Sequence, residues 1–452
     1  MEQVACRRMG ATELRAKVRS EMPRVRDAHA RLVRIPSLSA AGHDTAPVHE
    51  SAALTAELLR GIGADARLLE APGAHPAVVG RIAGPPGSRT VLLYAHHDVQ
   101  PPGPASRWSS APFEPVERDG RVFGRGTSDD KAGIAAHLAA VLAHDGRPPC
   151  TVLFFIEGEE ESGSKHLRGF LESERTALRC DAVVIADSGN WRVGQPALTT
   201  TLRGVVDCIV EVTVLDHAVH SGGFGGIFPD AVTCLARILA TLHDDTGRVA
   251  VRAIASGDAD PLDLTEQELR EWTGARPGLR TIGDGAFTAR MWTRPAVSVI
   301  GIDAPSVHDS SNQIVPTARA RVSMRIPPGQ PARPALDALC AHVQGAAPWG
   351  AEVKVTPGSA GEAFVASTSG PAYDAMHRAL AEAWGRKAID IGIGGSIPFL
   401  ADFAELFPEA ALLVTGVGDP SSNAHSEDES LHLADFENVC VAEARFLELF
   451  AR

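Results

Sequence analysis

Four short apolar runs constrain the fold more than any other feature of the chain: VLLYA at 91–95, TVLFFIE at 151–157, DAVVIAD at 181–187 and ALLVTG at 411–416. Each is strand-length and bounded by turn or charged residues, the pattern of a strand covered on both faces. Helical patterns near 131–144 and 164–177 separate the first three, and strands alternating with helices imply parallel βαβ units. Such a sheet offers ligands the edge formed by its strand C-termini. At that edge the chain places His96, His97 and Asp98 after the first run and Glu160 and Glu161 after the second. Asp187 ends the third, His425 follows the fourth, and Asp129 and Asp130 close the glycine-rich GRGTSDD ahead of a helix. Two histidines and three or four carboxylates at one sheet edge make an N/O ligand set, suited to zinc, manganese or cobalt rather than to a thiolate site.

Further elements complete this layer: a surface helix over 12–33, a helix over 46–62 carrying Leu54, Leu58, Leu59 and Ile62, a strand over 76–82, and a closing helix over 434–450. Between them the pattern changes. VVDCIVEVTV at 205–214 and ARARVSMRI at 318–326 alternate with period two, as strands with one wet face do, and helices are expected over 229–243 and 334–343. Buried-strand patterns resume only after about residue 370. The expected architecture is therefore α/β, a discontinuous catalytic domain with a mostly parallel sheet flanked by helices (1–198 and 361–452), interrupted by an α+β lid or dimerisation domain (199–360).

A formal net charge of -13 argues against a nucleic-acid or anionic-membrane surface. No run of 18 apolar residues occurs, so no membrane-spanning helix is expected. Glu2, Glu13 and Glu21 and the lack of a long apolar stretch argue against a targeting peptide at the arginine-rich start. Seven scattered cysteines without a C-x-x-C pair suggest neither a disulfide framework nor a zinc ribbon, and fit a reducing cytoplasm.

HHDVQP at 96–101, WSSAPFEPVERDGRVFGRGTSDDKAG at 108–133, EGEEESGS at 157–164, GGSIP at 394–398 and AHSEDE at 424–429 resemble, in this order, the motifs of the dinuclear-zinc dipeptidase and deacylase family. That family includes carnosinase-type dipeptidases, aminoacylase, acetylornithine deacetylase, succinyl-diaminopimelate desuccinylase and carboxypeptidase G. The resemblance implies two divalent ions per subunit, most simply Zn2+, bridged by Asp129. His96 and Asp187 would complete one site, Glu161 and His425 the other. Aspartate at 187 is nearer the dipeptidase branch than glutamate, while Ala132 replaces a usual glycine. The implied general base is Glu160, its register within Glu159–Glu161 fixed by counting from the flanking motif residues. Asp98 would orient His96, leaving His97 to point elsewhere.

The inserted domain adds His220 in VHSGGFGG, a candidate oxyanion donor that the resemblance implies acts on the partner subunit of a homodimer formed through the lid. Asn312 is a candidate for substrate polar groups, Arg325 for a carboxylate gripped in a bidentate fork, and the loop with Gly395 and Ser396 for the same carboxylate. The implied reaction is hydrolysis of a dipeptide or short peptide, with N-acyl-amino-acid deacylation or carbamoyl hydrolysis on the same metals as the alternative. A binding protein that has kept the fold is disfavoured, because every ligand position and the base are filled.

Overall fold

The computed structural model describes residues 9–395 and 399–452. The chain divides into two compact units, one comprising Met1–Thr200, Ala366–Ile391 and Pro398–Arg452, the other Thr201–Val365 and Gly392–Ile397.

The first unit is built on a sheet whose strands lie in the order Asp65–Leu69, Ala77–Ile82, Thr151–Glu157, Thr90–His96, Ala182–Ile185, Ala411–Val414 and Ala197–Leu202. The four central strands are parallel, and antiparallel strands flank them on both sides. Thr90–His96 explains why these runs are apolar throughout. Val91, Leu93 and Ala95 face the main core, shared with helices Ala11–Val33, Lys131–Leu142, Pro371–Trp384 and Leu433–Phe450. Tyr94, of opposite parity, packs against Phe155, Phe399 and Phe403. With both faces covered, period-two alternation has no reason to appear.

The second unit is a four-stranded antiparallel sheet in the order Ala296–Asp303, Thr317–Ile326, Gly204–Thr213 and Glu352–Gly361. Val206, Cys208, Val210 and Val212 alternate inward with Ala318, Ala320, Val322, Met324 and Ile326, and helices Ala231–Ala240 and Ala332–Gly345 cover that face. The opposite face carries exposed Ile209 and the arginines Arg319 and Arg321, the expected one-wet-face pattern.

The helix expected over 229–243 is trimmed to Ala231–Ala240, and the one expected over 164–177 is cut by half, to Leu167–Ser173. Gly163 and Ser164 both take left-handed backbone (φ 93° and 51°), which ends the preceding turn and delays helix entry. Among the described residues no helix is long and apolar enough to cross a membrane, and the six described cysteines are free.

Candidate active site

The core decides where the polar residues emerge. His96 is the last residue of Thr90–His96, in parallel register with Glu157, the last residue of Thr151–Glu157. Glu160 and Glu161 stand in the 3-10 turn directly after the latter strand, and Asp187 lies two residues beyond Ala182–Ile185. Asp129 precedes helix Lys131–Leu142, and His425 lies in the loop after Ala411–Val414. All belong to the first unit.

Their side chains converge. His96 Nε2 stands 3.0 Å from Asp129 Oδ1 and 3.9 Å from Asp187 Oδ1. His425 Nε2 stands 3.0 Å from the other oxygen, Asp129 Oδ2, and 3.2 Å from Glu161 Oε2. One carboxylate therefore presents its two oxygens to two different imidazoles, each flanked by a second carboxylate. His96, Asp129 and Glu161 bring ligand atoms within 4.8 Å of one another, and so do His96, Glu160 and Asp187. Glu160 thus reaches the same space as the ligand candidates, and distance alone does not separate base from ligand.

The electrostatics fit a cation-binding cluster. Burial pushes the Glu160 carboxyl up to about 7, with Glu161 and Asp129 adding to the rise. Burial, then the charge of Glu160, raises Asp187 well above the carboxylate range. His425 is raised to about 10 by its contacts with Asp129 and Glu161. For His96 burial opposes the charged ring, but Asp129 and Asp98 override it and the net direction is up. Crowded carboxylates and imidazoles of this kind are relieved by a cation among them, and a set without thiolates suits zinc, manganese or cobalt.

The supporting contacts sort the neighbours. His96 Nδ1 donates to the Asp98 main-chain carbonyl at 3.1 Å, which turns Nε2 toward Asp129. Asp98 Oδ1 stands 3.3 Å from the same nitrogen without hydrogen-bond geometry, while Oδ2 accepts the Glu161 N–H at 3.0 Å. Asp98 therefore ties the backbone of one ligand candidate to the ring of another. His97 does point elsewhere: its Nε2–H donates to Pro76 O at 2.9 Å, and it fills the space where a Cβ on Gly158 would stand. Glu159 is buried and accepts from the N–H groups of His75 and His166 and from His166 Nδ1, so it braces the turn from behind.

Three contributors escaped the sequence reading. Gln100 donates to Glu161 Oε2 at 2.8 Å, and buried Lys131 donates to Leu32 O and Ile35 O at 2.8 and 2.7 Å, anchoring the Asp129 loop to the end of the first helix. Glu429, fully buried, accepts the Ser128 and Asp129 N–H groups. For Lys131 and Glu429 the available signal was a charged residue inside a motif whose neighbours already had roles, and for Gln100 a polar amide in the same position within HHDVQP.

In the second unit, Val219–His220 pairs with Gln313–Ile314, and the Ser221 N–H donates to Asn312 O at 3.0 Å, so His220 and Asn312 lie side by side on exposed backbone. Arg325 is half-buried opposite Val205 and Ala296, and burial lowers its pKa. Arg203 donates to Gly394 O at 3.3 Å; burial, then the charge of Arg325, lowers it to about 10. Gly395 sits in the bend after Ile389–Ile393, whereas Ser396 lies outside the described residues.

Comparison with known proteins gives concordant results. The chain is 35% identical over 372 residues to the cysteinylglycine-S-conjugate dipeptidase of Corynebacterium striatum, covering 80% of this chain and 81% of that one. The di-peptidase Dug1p of Saccharomyces cerevisiae shares its fold, with a TM-score of 0.81 at 23% identity over 98% of both chains. So does a dinuclear metal-binding M20 peptidase of Bacillus subtilis, with a TM-score of 0.59 at 14% identity over 95% of this chain and 98% of that one. Residues 92–449 match the model of peptidase family M20/M25/M40, spanning every residue of the acidic and histidine cluster, and the chain belongs to that family.

Proposed function

We propose that the protein is a metal-dependent dipeptidase, cleaving the amide of a short peptide that carries a free C-terminal carboxylate. The observation that carries this reading is Asp129, whose two oxygens each stand 3.0 Å from the Nε2 of a different histidine. His96, Asp187 and Asp129 would hold one divalent ion, and His425, Glu161 and Asp129 the other. Such a pair supplies Lewis acidity to the scissile carbonyl and acidity to a water. Zinc is the reference ion for this donor set, with manganese and cobalt as substitutes.

The remaining roles belong to the chain itself. Glu160, free of side-chain hydrogen bonds among the described residues, takes the proton of the attacking water and delivers it to the leaving amine. Asp98 fixes the His96 ring and the Glu161 backbone, as outer-shell partners of ligands do. Arg325 anchors the substrate carboxylate in a planar fork with the glycine bend at 394–395 beside it, while His220 and Asn312 bind the reacting carbonyl and substrate polar groups. The stretch around His220 exposes Phe224, Ile227 and Phe228, which suits a homodimer contact.

The test is a hydrolysis panel on metal-stripped protein, resupplied with zinc, manganese or cobalt in turn. Cysteinylglycine and its S-conjugates, other dipeptides, amidated dipeptides and N-acyl amino acids form the panel. Restored cleavage of free dipeptides is the expected result. Two bound ions with no dipeptide cleaved would overturn the reading, and cleavage confined to N-acyl amino acids would replace it with deacylation.

A further inference from the structure

We propose that Glu429 and Arg125 form a buried clamp that positions the two loop-borne metal ligands, Asp129 and His425, relative to each other. The inference rests on the two-metal reading above.

The ligand candidates are unequally supported. His96 is the last residue of a strand buried from Val91 onward, and Asp187 lies two residues past a fully buried one. Asp129 and His425 instead stand on irregular backbone from distant parts of the chain. Around His425 the main chain is demanding: Asn423, His425 and Asp428 all take left-handed φ values (54°, 63° and 54°), unusual for residues other than glycine. Such a segment keeps its shape only when its surroundings over-determine it.

Glu429 supplies that constraint from the far end of the same loop. Its Oε1 accepts the N–H groups of Ser128 and Asp129 at 2.9 and 3.1 Å. Its Oε2 accepts the Gly126 N–H at 3.0 Å and Arg125 Nη1 at 2.5 Å. Four donors thus surround one carboxylate that is 0% exposed. Gly126 permits this cradle: its φ is +79°, and a Cβ there would meet Val99 Cγ1 at 2.6 Å. Arg125, 1% exposed, also donates through Nη2 to Ser426 O at 3.2 Å, the residue next to His425. The Gly124 N–H donates to Glu429 O at 2.9 Å, so main chain and side chain of Glu429 hold the same loop.

The Asp129 amide is therefore fixed by a carboxylate four residues from His425, and the carbonyl beside His425 by an arginine four residues from Asp129. A buried ion pair of this kind is weak grounds for stability, since desolvation offsets attraction. Its four-donor geometry is better explained by register between two loops. Outer-shell partners that orient ligands typically change metal affinity 10–100-fold when removed.

Glu429→Gln keeps the shape but turns an amide NH2 toward backbone donors, and Arg125→Lys keeps the charge but loses the fork. The experiment titrates zinc into metal-free wild type and both variants, with chelator competition for affinity and thermal unfolding of the metal-free proteins for fold. Wild type taking up no second ion sinks the two-metal reading itself. Given two ions in wild type, the clamp predicts that the weaker-bound ion loses 10–100-fold in affinity in either variant, measured where the metal-free variant is still folded, with Glu429→Gln also melting lower because it leaves Arg125 buried without its counter-ion. Wild-type affinity for both ions in a folded variant overturns the clamp, as does a loss of melting temperature without a loss of affinity. If Glu429→Gln does not fold, Arg125→Lys decides between the same outcomes.

Discussion

Glu159 and Glu160 are chemically identical neighbours, and the structure assigns them opposite consequences when each is changed to glutamine. Glu159 is 5% exposed, and its carboxylate accepts from His75 N–H at 2.9 Å, His166 N–H at 3.2 Å and His166 Nδ1 at 2.9 Å. An amide keeps one acceptor oxygen and sets an NH2 against the remaining donors. Losing two charge-assisted bonds of ~1.5–3 kcal/mol each, with some recovered by relaxation, makes Glu159→Gln destabilising by ~2–4 kcal/mol. At about 2 °C per kcal/mol for a chain of this size, melting should fall by roughly 4–8 °C. Glu160 has no such partners among the described residues, and burial already raises its pKa to about 7. Glu160→Gln should leave melting unchanged and metal content intact, while kcat falls ~10²–10⁴-fold through loss of the base. Thermal unfolding, metal analysis by plasma spectrometry and steady-state kinetics on one dipeptide read all three quantities. A Glu160→Gln protein that loses metal, beside a Glu159→Gln protein with normal melting and no activity, would refute the reasoning and move base and ligand by one position.

Chelation should abolish hydrolysis yet leave most of the far-ultraviolet circular dichroism, because the ligand candidates sit at the edge of a sheet with its own core; collapse of the fold on chelation would contradict this. Arg325→Ala should leave metal content untouched and lower kcat/KM on free dipeptides roughly thirty- to thousand-fold, and it should erase the preference over amidated dipeptides. Equal cleavage of free and amidated substrates by wild type would refute that role. His29, buried with its Nε2–H donating to Thr127 O at 2.9 Å, has its pKa lowered to about 4, by burial first and by Lys131 and Arg26 after it. The unfolded chain binds this proton near pH 6.5 and the folded chain only near 4, so stability falls as pH drops through that window, by at most ~3 kcal/mol from this group. His29→Gln, which cannot titrate, should show a flatter urea-unfolding profile between pH 6.5 and 4; an unchanged pH slope would count against it.

The architecture was legible because the physics that makes it is local. Residues 91–95 and 152–156 are apolar at every position because both faces are covered, and Gly204–Thr213 alternates because one face is wet. The helix expected over 164–177 was overdrawn because its start depends on the backbone of Gly163 and Ser164, which apolar spacing does not report. In the insertion the short helices Glu266–Thr273 and Phe287–Trp292 were not assigned at all. The first carries a capping box between Thr265 and Glu268, so a local signal was present there. At the site, residues at strand ends were readable from the runs before them. Glu429 was not, because its partners are backbone N–H groups some 300 residues earlier and no side-chain pattern encodes them.

That asymmetry bears on how the site is held. His96, Asp187 and Glu161 follow directly from strands that the hydrophobic core fixes, so their spacing should survive anything that leaves the core intact. Asp129 and His425 follow from nothing so general. Their placement depends on Lys131 reaching the carbonyls of Leu32 and Ile35, and on Glu429 and Arg125 joining two loops. Substitutions at these buried charges should therefore disturb the spacing of Asp129 and His425 in protein that still folds, whereas core substitutions should lower stability while leaving that spacing intact.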